Sequence, residues 1–318
     1  MSYLERKQVN GRTYLSFVKK ISFMKKIVVI KKHIGLDSDI ISKEKYLLDN
    51  LESISNEELN FRKKFLEDII QILSYNKGLP EKIEFKAIKI NNFIEGKQCQ
   101  SIVDTEFAKE FIFNSNNIEG SKIPPERVRE IIDKGDTKYM DRNEVREVQN
   151  SIIAFEYLKK SFKFNTNSIK RIYHILTKNL LREGKSMYPK GFKKEPNIVG
   201  NSPTTAPEKV EEELKTLLDW YKQQRNNLHP LLLAFEFHLR FERIHPFLDG
   251  NGRTGRLIMN KILMNSDYPP IIVYKDNKQG YFNSIASSSE GKLKKYCQFM
   301  LEQADKSYDY LLSVIRKY

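Results

Sequence analysis

Apolar residues recur with a helical period of about 3.6 from Ser42 to the end of the chain, and this periodicity constrains the fold more than any other feature. Capping residues, prolines and glycines divide the periodic region into separate helices. The predicted helices are a Ser42-capped run to about 54, an Asn56-capped run to about 75, 105–119 capped by Asp104, 126–132 opened by Pro125, a run to about 160 opened by Asp141 and Glu144, 167–181, 207–224, 230–243, 250–265, 280–287 and 292–316. Residues 81–100 are ambiguous, because 82–90 alternate like a strand. The expected fold class is mainly α.

Residues 1–36 follow a different pattern, which predicts a small basic β module. Asn10-Gly11 separates the β-prone runs 3–9 and 13–18, as in a two-residue hairpin, and the run 23–34 can add a third strand. Nine basic residues against one acid, Glu5, give this stretch +8 of the total charge of +14. We favour lysine pairs that face solvent and protect the strand edges. A nucleic-acid contact through these basic residues and the aromatics between them is the weaker alternative.

Composition excludes several classes of protein. The 318 residues include only two cysteines, Cys99 and Cys297, which excludes a disulfide scaffold and a Cys-based zinc framework. No apolar run approaches the roughly 18–20 residues of a spanning helix. The N-terminus lacks the apolar centre of a signal peptide. We therefore expect a soluble, cytoplasmic protein with no membrane partner.

The run from Arg243 to Arg256, RIHPFLDGNGRTGR, holds most of the chemistry. Three of its glycines match the G-x-G-x-x-G fingerprint of dinucleotide-binding folds. That fingerprint must follow a strand, whereas the preceding residues 230–243 have helical spacing, and no alternation of strands and helices follows. We therefore interpret these glycines as part of a loop between two helices.

Such a loop can bind a polyphosphate. Gly250 and Gly252 allow backbone N–H groups to converge at the N-terminus of the next helix, where the helix dipole favours anions. Arg253 and Arg256 are three residues apart on that helix, so both can face one polyphosphate. Asn251 can donate to a phosphate oxygen. Together these residues predict a nucleotide phosphate site.

Two further residues of the loop indicate phosphate transfer rather than binding alone. Asp249 offers a hard oxygen ligand for Mg²⁺, which also takes phosphate oxygens and water. His245 offers an imidazole that can remove a proton from an attacking hydroxyl. Each residue singly has an ordinary structural explanation, as a helix cap, a turn glycine or a surface arginine. Their concentration within the 12 residues 245–256 favours a catalytic site.

The run 245–256 resembles the H-P-F-x-[DE]-G-N-G-R-x-x-R signature of the Fic (filamentation induced by cAMP) family, and the similarity extends over about residues 100–318. The resemblance implies an α-helical Fic-type core, ATP as substrate, Mg²⁺ as cofactor, and transfer of AMP to a Ser, Thr or Tyr hydroxyl of a protein, including self-modification. For individual residues it implies His245 as the base, Asp249 as the Mg²⁺ ligand, Asn251 with the amides of Gly250 and Gly252 on the phosphates, Arg253 at the nucleotide, and Arg256 on the γ-phosphate.

A short motif upstream, residues 115–120 (SNNIEG), is similar to the inhibitory pattern [ST]-x-x-x-E-[GN] of the same family. Glu119 would close a helix, where its charge meets the negative end of the dipole, and Gly120 suits a helix end. The resemblance implies that Glu119 holds Arg256 away from the γ-phosphate, so that ATP binds misaligned for in-line attack. A solvated glutamate beside a helix-ending glycine is the alternative.

Two weaker similarities concern the target and the base of the nucleotide. Residues 191–205, with Ile198, Val199 and Gly200, resemble the flap hairpin of the family, which positions a target segment by strand addition. An ordinary connecting hairpin is the alternative. Tyr281 matches an aromatic residue that lines the nucleotide site, although a core or surface tyrosine also fits its position.

These features predict three regions: a basic β-rich module at 1–40, a helical connector at 41–99, and a Fic domain at 100–318 with an inhibitory helix at about 105–120. The main hypothesis is a self-inhibited protein adenylyltransferase. Two alternatives stay open: a phosphodiesterase that removes AMP with water activated by Glu119, and a nucleic-acid-associated regulator acting through residues 1–36. These residues do not decide the target, the donor nucleotide or the oligomeric state, a homodimer included.

Overall fold

The computed structural model describes residues 2–37, 41–73, 75–136, 138, 142–182, 186–199, 202–288 and 293–318. Asp141 and Gly200, which carry a helix-start and a flap prediction, lie outside these residues. The elements are β1 (Ser2–Val9), β2 (Arg12–Phe23), β3 (Lys26–Leu36), α1 (Lys43–Asp49), α2 (Leu51–Arg62), α3 (Glu67–Ile72), α4 (Leu79–Lys97), α5 (Gln100–Ile118), α6 (Pro125–Lys134), α7 (Arg142–Lys160), α8 (Thr166–Leu176), β4 (Leu181–Arg182), β5 (Ser186–Met187), β6 (Ile198–Val199), β7 (Ser202–Pro203), α9 (Val210–Gln224), α10 (Pro230–Ile244), α11 (Asn251–Met264), α12 (Lys278–Ser287) and α13 (Lys294–Arg316). The predicted mainly α fold class is confirmed. Among the described helices, none combines the length and the hydropathy that crossing a bilayer requires.

The N-terminal module is an antiparallel sheet in the order β1-β2-β3. Its first turn is Asn10-Gly11, with φ of 52° and 73°, the left-handed region that two-residue hairpin turns need. The inner face of the sheet packs against α1 and α2, and the shared buried cluster consists of Phe17, Ile21, Ile30, Leu47 and Ile54. The β module and the start of the connector therefore share one small core.

Seven of the nine basic residues at 1–36 are exposed, as the favoured interpretation predicts, but Lys19 is an exception. Lys19 is buried; its Nζ lies 3.1 Å from Glu58 Oε2 of α2 and donates to Asn92 Oδ1 of α4. Other ion pairs of the sheet are Arg6–Asp37, Lys31–Glu5 and Lys32–Glu57. The solvated interpretation is wrong for Lys19, because its ammonium is the counter-ion of a buried carboxylate.

The helices at 51–118 resolve one ambiguity and correct two predicted caps. Residues 79–97 form one helix, α4, in which Ile83, Ala87 and Ile90 are buried at helical spacing, so the strand-like alternation at 82–90 is not used. Asn56 lies inside α2 and Asp104 lies inside α5, because both helices begin earlier than the predicted caps. In each case a buried apolar stripe continues across the polar residue, and packing overrides the local capping preference.

The two most central helices, α10 and α11, are buried along nearly their whole length. α10 packs on α9, α11 and α13, whereas α11 also contacts α5, α7 and α8. The loop that joins α10 to α11, residues 245–250, therefore lies where side chains from α5, α7 and α8 can reach the start of α11.

Candidate active site

The loop between α10 and α11 owes its shape to its own residues. α10 ends because His245 adopts a left-handed conformation (φ 48°), and Pro246, which follows, lacks the N–H that a further helical turn would need. Gly250 has a φ of 73° just before the first residue of α11, where a side chain would be strained. The C-terminus of one buried helix is thus joined directly to the N-terminus of the next.

The side chain of Asn251 closes this loop. Its Oδ1 accepts from the Phe247 N–H and its Nδ2 donates to Phe247 O, both at 2.8 Å. The Phe247 ring stacks on Tyr173, with centroids 4.1 Å apart. That Asn251 donates to a phosphate oxygen stays a prediction: its buried side chain is bonded to Phe247, and Nδ2 has a second hydrogen that this bond does not use. Its backbone N–H belongs to the first turn of α11, where a helix provides no internal acceptor.

His245 presents one edge of its imidazole to the protein and 17% of its side chain to solvent. Nδ1 lies 3.2 Å from the backbone oxygen of Glu242 and 3.6 Å from its Oε2. A proton on Nδ1 leaves Nε2, on the other side of the ring, as the basic nitrogen. The nitrogen that would accept a proton is therefore directed away from Glu242.

Glu119, which caps the C-terminus of α5, covers the N-terminus of α11. A Cβ on residue 252 would overlap Glu119 Oε1 and would lie 2.9 Å from Arg256 Nη1. The carboxylate therefore lies against the backbone of Gly252, where only glycine leaves room for it. The dipole and the free N–H groups of a helix N-terminus stabilise an anion at such a place.

Arg256 is the cation that receives this carboxylate. Its Nη2 donates to Glu119 Oε1 at 2.6 Å and to Ser115 O at 3.0 Å, and its Nε donates to Ser115 Oγ at 3.0 Å. Only 1% of the Arg256 side chain is exposed, against 25% for Glu119. Burial opposes ionisation of Arg256, but the charges of Glu119, Tyr281 and Glu242 outweigh it, and the pKa is raised. Among the described residues, Arg256 Nη1 has no hydrogen-bond partner.

Arg253 lies near different carboxylates. Its Nη1 lies 3.4 Å from Glu147 Oε1 of α7, and its Nη2 lies 4.0 Å from Asp249 Oδ1. Burial raises the pKa of Glu147, although the charge of Arg253 lowers it. The two arginines that were expected to face one polyphosphate are thus held by separate acids. Glu147 was not predicted, because only the packing of α7 on α11 brings it to the loop.

Asp249 keeps 44% of its side chain exposed and is the candidate metal ligand. Its Oδ2 accepts from the Tyr188 hydroxyl at 2.9 Å and its Oδ1 accepts from the Gly250 N–H. One fixed, accessible carboxylate suits Mg²⁺, which takes its other ligands from phosphate and water. Within the described residues no group of three or more His, Cys, Asp or Glu side chains could hold a metal ion, so protein ligands alone would not suffice there.

Behind the loop lies a buried polar network. The Tyr281 hydroxyl lies 3.1 Å from His238 Nε2, and the Tyr281 ring centroid lies 5.8 Å from the Arg256 guanidinium carbon. His238 Nδ1 lies 2.6 Å from the Tyr296 hydroxyl. Burial lowers the pKa of His238 to about 4, despite the opposing charge of Glu242. Tyr281 is therefore in the core behind Arg256, and its contact with a nucleotide stays a prediction.

The predicted flap lies beside the loop. β6 pairs with β7, and Asn197, which precedes β6, donates from Nδ2 to Phe247 O at 2.9 Å. The buried Lys193 donates from Nζ to Asn197 Oδ1 at 2.6 Å, and burial lowers its pKa to about 8. Ile198 is 67% exposed, so the short strand offers an apolar side chain to the surroundings. The hairpin is thus tied to the catalytic loop at one end.

Known proteins are similar to this chain in sequence and in fold. Residues 163–263 match the family model described as Fic/DOC family. The protein adenylyltransferase Fic of Drosophila mojavensis is 24% identical over 286 residues, which are 86% of this chain and 55% of that protein. The chain thus spans about half the length of the curated relatives it matches. A Fic domain containing signaling protein from Bacteroides thetaiotaomicron has a TM-score of 0.61 at 20% identity, over 76% of this chain and 96% of that one. A Fic family protein from Desulfovibrio desulfuricans G20 has a TM-score of 0.64 at 24% identity, over 74% of this chain and 73% of that one.

Proposed function

We propose that this chain transfers AMP from ATP to a hydroxyl side chain of a protein and that Glu119 restrains this activity, because residues 163–263 match the Fic/DOC family model. The similarity to proteins named protein adenylyltransferase supports the reaction class. The observation that carries the proposal is the contact of Glu119 with Arg256 at the N-terminus of α11.

The contact between Glu119 and Arg256 supports a phosphate site at Arg256 and also supports inhibition of phosphate binding by Glu119. Arg256 is buried, and its guanidinium is oriented by Ser115, so it can bind an anion only from the side that Glu119 now occupies. A carboxylate and a phosphate oxygen compete for the same donors. The γ-phosphate of ATP would therefore have to displace Glu119 before it could bind Arg256 and the backbone amides near Gly252.

The transfer would begin at His245. Its Nε2 would remove the proton from the target hydroxyl, because Nδ1 faces Glu242. The hydroxyl oxygen would then attack the α-phosphorus, and the bond from that phosphorus to the oxygen bridging to the β-phosphate would break. AMP stays on the target oxygen, and pyrophosphate leaves. The left-handed turn at His245 and the bonds of Asn251 to Phe247 would hold the imidazole beside the phosphates of a bound nucleotide.

Asp249 would hold Mg²⁺ together with phosphate oxygens, and the ion would supply neutralisation of phosphate charge. The fit rests on the exposure of this carboxylate and on its fixed orientation by Tyr188 and the Gly250 N–H. The amides at Gly250 and Gly252 would bind the phosphates of the bound nucleotide. Arg253, held between Glu147 and Asp249, would keep the metal ligand in place as well as contact phosphate.

We also propose that the flap docks the target. An extended segment of the target could pair with β6, and Ile198 would support it from the exposed side. Because Asn197 is bonded to Phe247, a segment on this strand would be held next to the loop that bears His245. We further propose three regions: a module at 1–40, a connector at 41–99 and a Fic domain at 100–318. We also propose that the protein is located in the cytoplasm.

Labelling with α-³²P-ATP tests the proposal. Glu119→Gly should transfer more label to protein than the parent chain, and Glu119→Gly with His245→Ala should transfer none. Glu106→Gly is the matched control, because Glu106 lies on the same helix but pairs with Lys109. Equal labelling with and without His245 would refute the assigned base.

Mass spectrometry with mixed nucleotides would identify the donor, the modified residue and self-modification. Release of AMP from a modified target that depends on Glu119 would instead favour the phosphodiesterase.

A further inference from the structure

We propose that Glu242 is a positioning residue, whose buried carboxylate holds His245 by its Nδ1–H so that Nε2 serves as the base. The catalytic role of Glu242 rests on the proposed function, whereas the contact of its carboxylate with His245 does not depend on that function. Glu242 was not among the residues predicted from sequence. It lies three residues before His245, in the last turn of α10.

Two oxygen atoms of Glu242, one from the backbone and one from the carboxylate, lie near the same nitrogen, His245 Nδ1. The backbone oxygen lies 3.2 Å and Oε2 lies 3.6 Å from His245 Nδ1. The longer distance is that of a charge contact, and such contacts often shorten when the substrate complex forms. Because only 5% of the Glu242 side chain is exposed, water screens its charge weakly. The carboxylate can therefore favour a proton on Nδ1.

The surroundings keep Glu242 ionised. Burial raises its pKa, but the contact with His245 and the positive charge around it, including that of Arg256, outweigh burial, so the pKa is lowered overall. The groups that face it are His238 on α10, His245 in the loop, Arg256 on α11, Tyr281 on α12 and Tyr296 on α13. His238 is neutral near pH 7, since its pKa is about 4. It therefore does not neutralise the carboxylate.

The crossing of α10 and α11 leaves room for this carboxylate. A Cβ on residue 255 would lie 2.8 Å from Glu242 Oε1 and 3.0 Å from the Phe241 ring. Among the described residues, Glu242 Oε1 has no hydrogen-bond partner, and its nearest basic atom is His238 Nε2 at 3.5 Å. An unsatisfied buried oxygen is costly for stability alone. Its retention beside His245 fits a role in the chemistry.

The chemical consequence follows from the direction of proton transfer. When His245 takes the proton of the hydroxyl on Nε2, the ring becomes a cation with its second proton on Nδ1. The carboxylate of Glu242 stabilises that cation and fixes the ring orientation, as a third group does for other paired bases. Glu242 touches neither substrate nor phosphate in this account, and it acts through His245.

Two readouts on the full chain test the inference, and the first needs no activity. NMR of ¹⁵N-histidine-labelled protein should show a downfield Nδ1–H resonance, assigned by its loss in His245→Ala. In Glu242→Gln, which keeps the shape and removes the charge, this resonance should move upfield or broaden. Glu236→Gln is the matched control on the same helix, since Glu236 pairs with Arg240, and it should leave the resonance in place. An unchanged resonance in Glu242→Gln overturns the inference.

The second readout is the rate of labelling in the Glu119→Gly background. Glu242→Gln should lower kcat about 10- to 100-fold, a part of the roughly 10²–10⁴-fold that a positioned base supplies, with KM for ATP unchanged. Glu242→Asp, which keeps the charge on a shorter side chain, should lower kcat less than Glu242→Gln. If Glu242→Gln does not fold, Glu242→Asp alone should still lower kcat and shift the resonance relative to the parent, because its carboxylate lies farther from Nδ1. An unchanged kcat also overturns the inference. A shifted resonance with no labelling by any variant supports the positioning and refutes the proposed function.

Discussion

Replacing Glu119 by glutamine should make the protein less stable without nucleotide and bind ATP more tightly. The reason is that Arg256 is buried and takes its charge partner from Glu119 at 2.6 Å. Two unit charges about 4 Å apart attract by about 4 kcal/mol at an effective dielectric constant of about 20. Since Glu119 is 25% exposed and both groups lose hydration, a net loss of about 2 kcal/mol is expected.

This free energy sets the size of both effects. For a chain of 318 residues, about 2 kcal/mol corresponds to a fall in Tm of about 3 °C. If the γ-phosphate takes over the vacated donor, the same free energy appears as about 30-fold tighter binding of ATP. Nucleotide should therefore raise the Tm of Glu119→Gln by more than it raises the Tm of the parent chain.

Differential scanning calorimetry with and without Mg²⁺-ATP, and titration calorimetry with a non-hydrolysable ATP analogue, measure the two effects. Glu106→Gln is the control, since Glu106 pairs with Lys109 on the same helix. A Glu119→Gln protein that binds the analogue no more tightly than the parent chain would refute the reasoning, because Arg256 would then not be shared between carboxylate and phosphate.

Three further predictions concern buried groups. The pKa of His238, about 4 in the fold, lies below the roughly 6.5 of an unfolded histidine. The free energy of unfolding should therefore decrease as the pH is lowered below 6.5, by about 2 kcal/mol at pH 5. Urea unfolding should show this loss in the parent chain and not in His238→Gln. Gly252→Ala should cost about 1–3 kcal/mol in the parent chain and less in Glu119→Gly, because the added methyl overlaps Glu119; strict additivity in a double-mutant cycle would contradict this contact. Lys19→Ala should cost about 1–3 kcal/mol, because the buried Glu58 Oε2 loses its cation although Oε1 keeps Arg62, whereas Lys7→Ala on the exposed part of β1 should cost less than about 0.5 kcal/mol; equal costs in chemical denaturation would argue against the buried pair.

Some features of this protein could be predicted because their causes are local in sequence. Asn10-Gly11 sets a hairpin through its left-handed conformations, and Pro230 suits the first turn of the helix it opens. The loop from His245 to Gly250 falls between two helices for the same reason, since left-handed turns at His245 and Gly250 lie between two apolar runs. Ser42 also caps its helix as predicted, by accepting from the Lys45 N–H.

Other features could not be predicted, or were predicted wrongly, because the deciding interaction is not local. The alternation at 82–90 fits a strand, but the buried face of α4 has helical spacing and packs on α13. The bonds of the Asn251 side chain to both backbone groups of Phe247 had no signal in the sequence. Lys19 has the pattern of a surface lysine, but β2 brings it against Glu58. Burial decided each case, and burial depends on which elements pack together.

The sequence by itself determined the helical class, the N-terminal hairpin and the set of groups in the α10–α11 loop, because side-chain chemistry and backbone preference are properties of single residues and short spacings. Tertiary structure alone decided which of those groups are held by other side chains and which are accessible to a ligand. Glu119 lies 137 residues from Arg256, and its motif named that partner only through a family resemblance. Glu147 and Glu242 gave no signal at all, since a carboxylate acquires its role from the cation or imidazole that packing brings within reach of it.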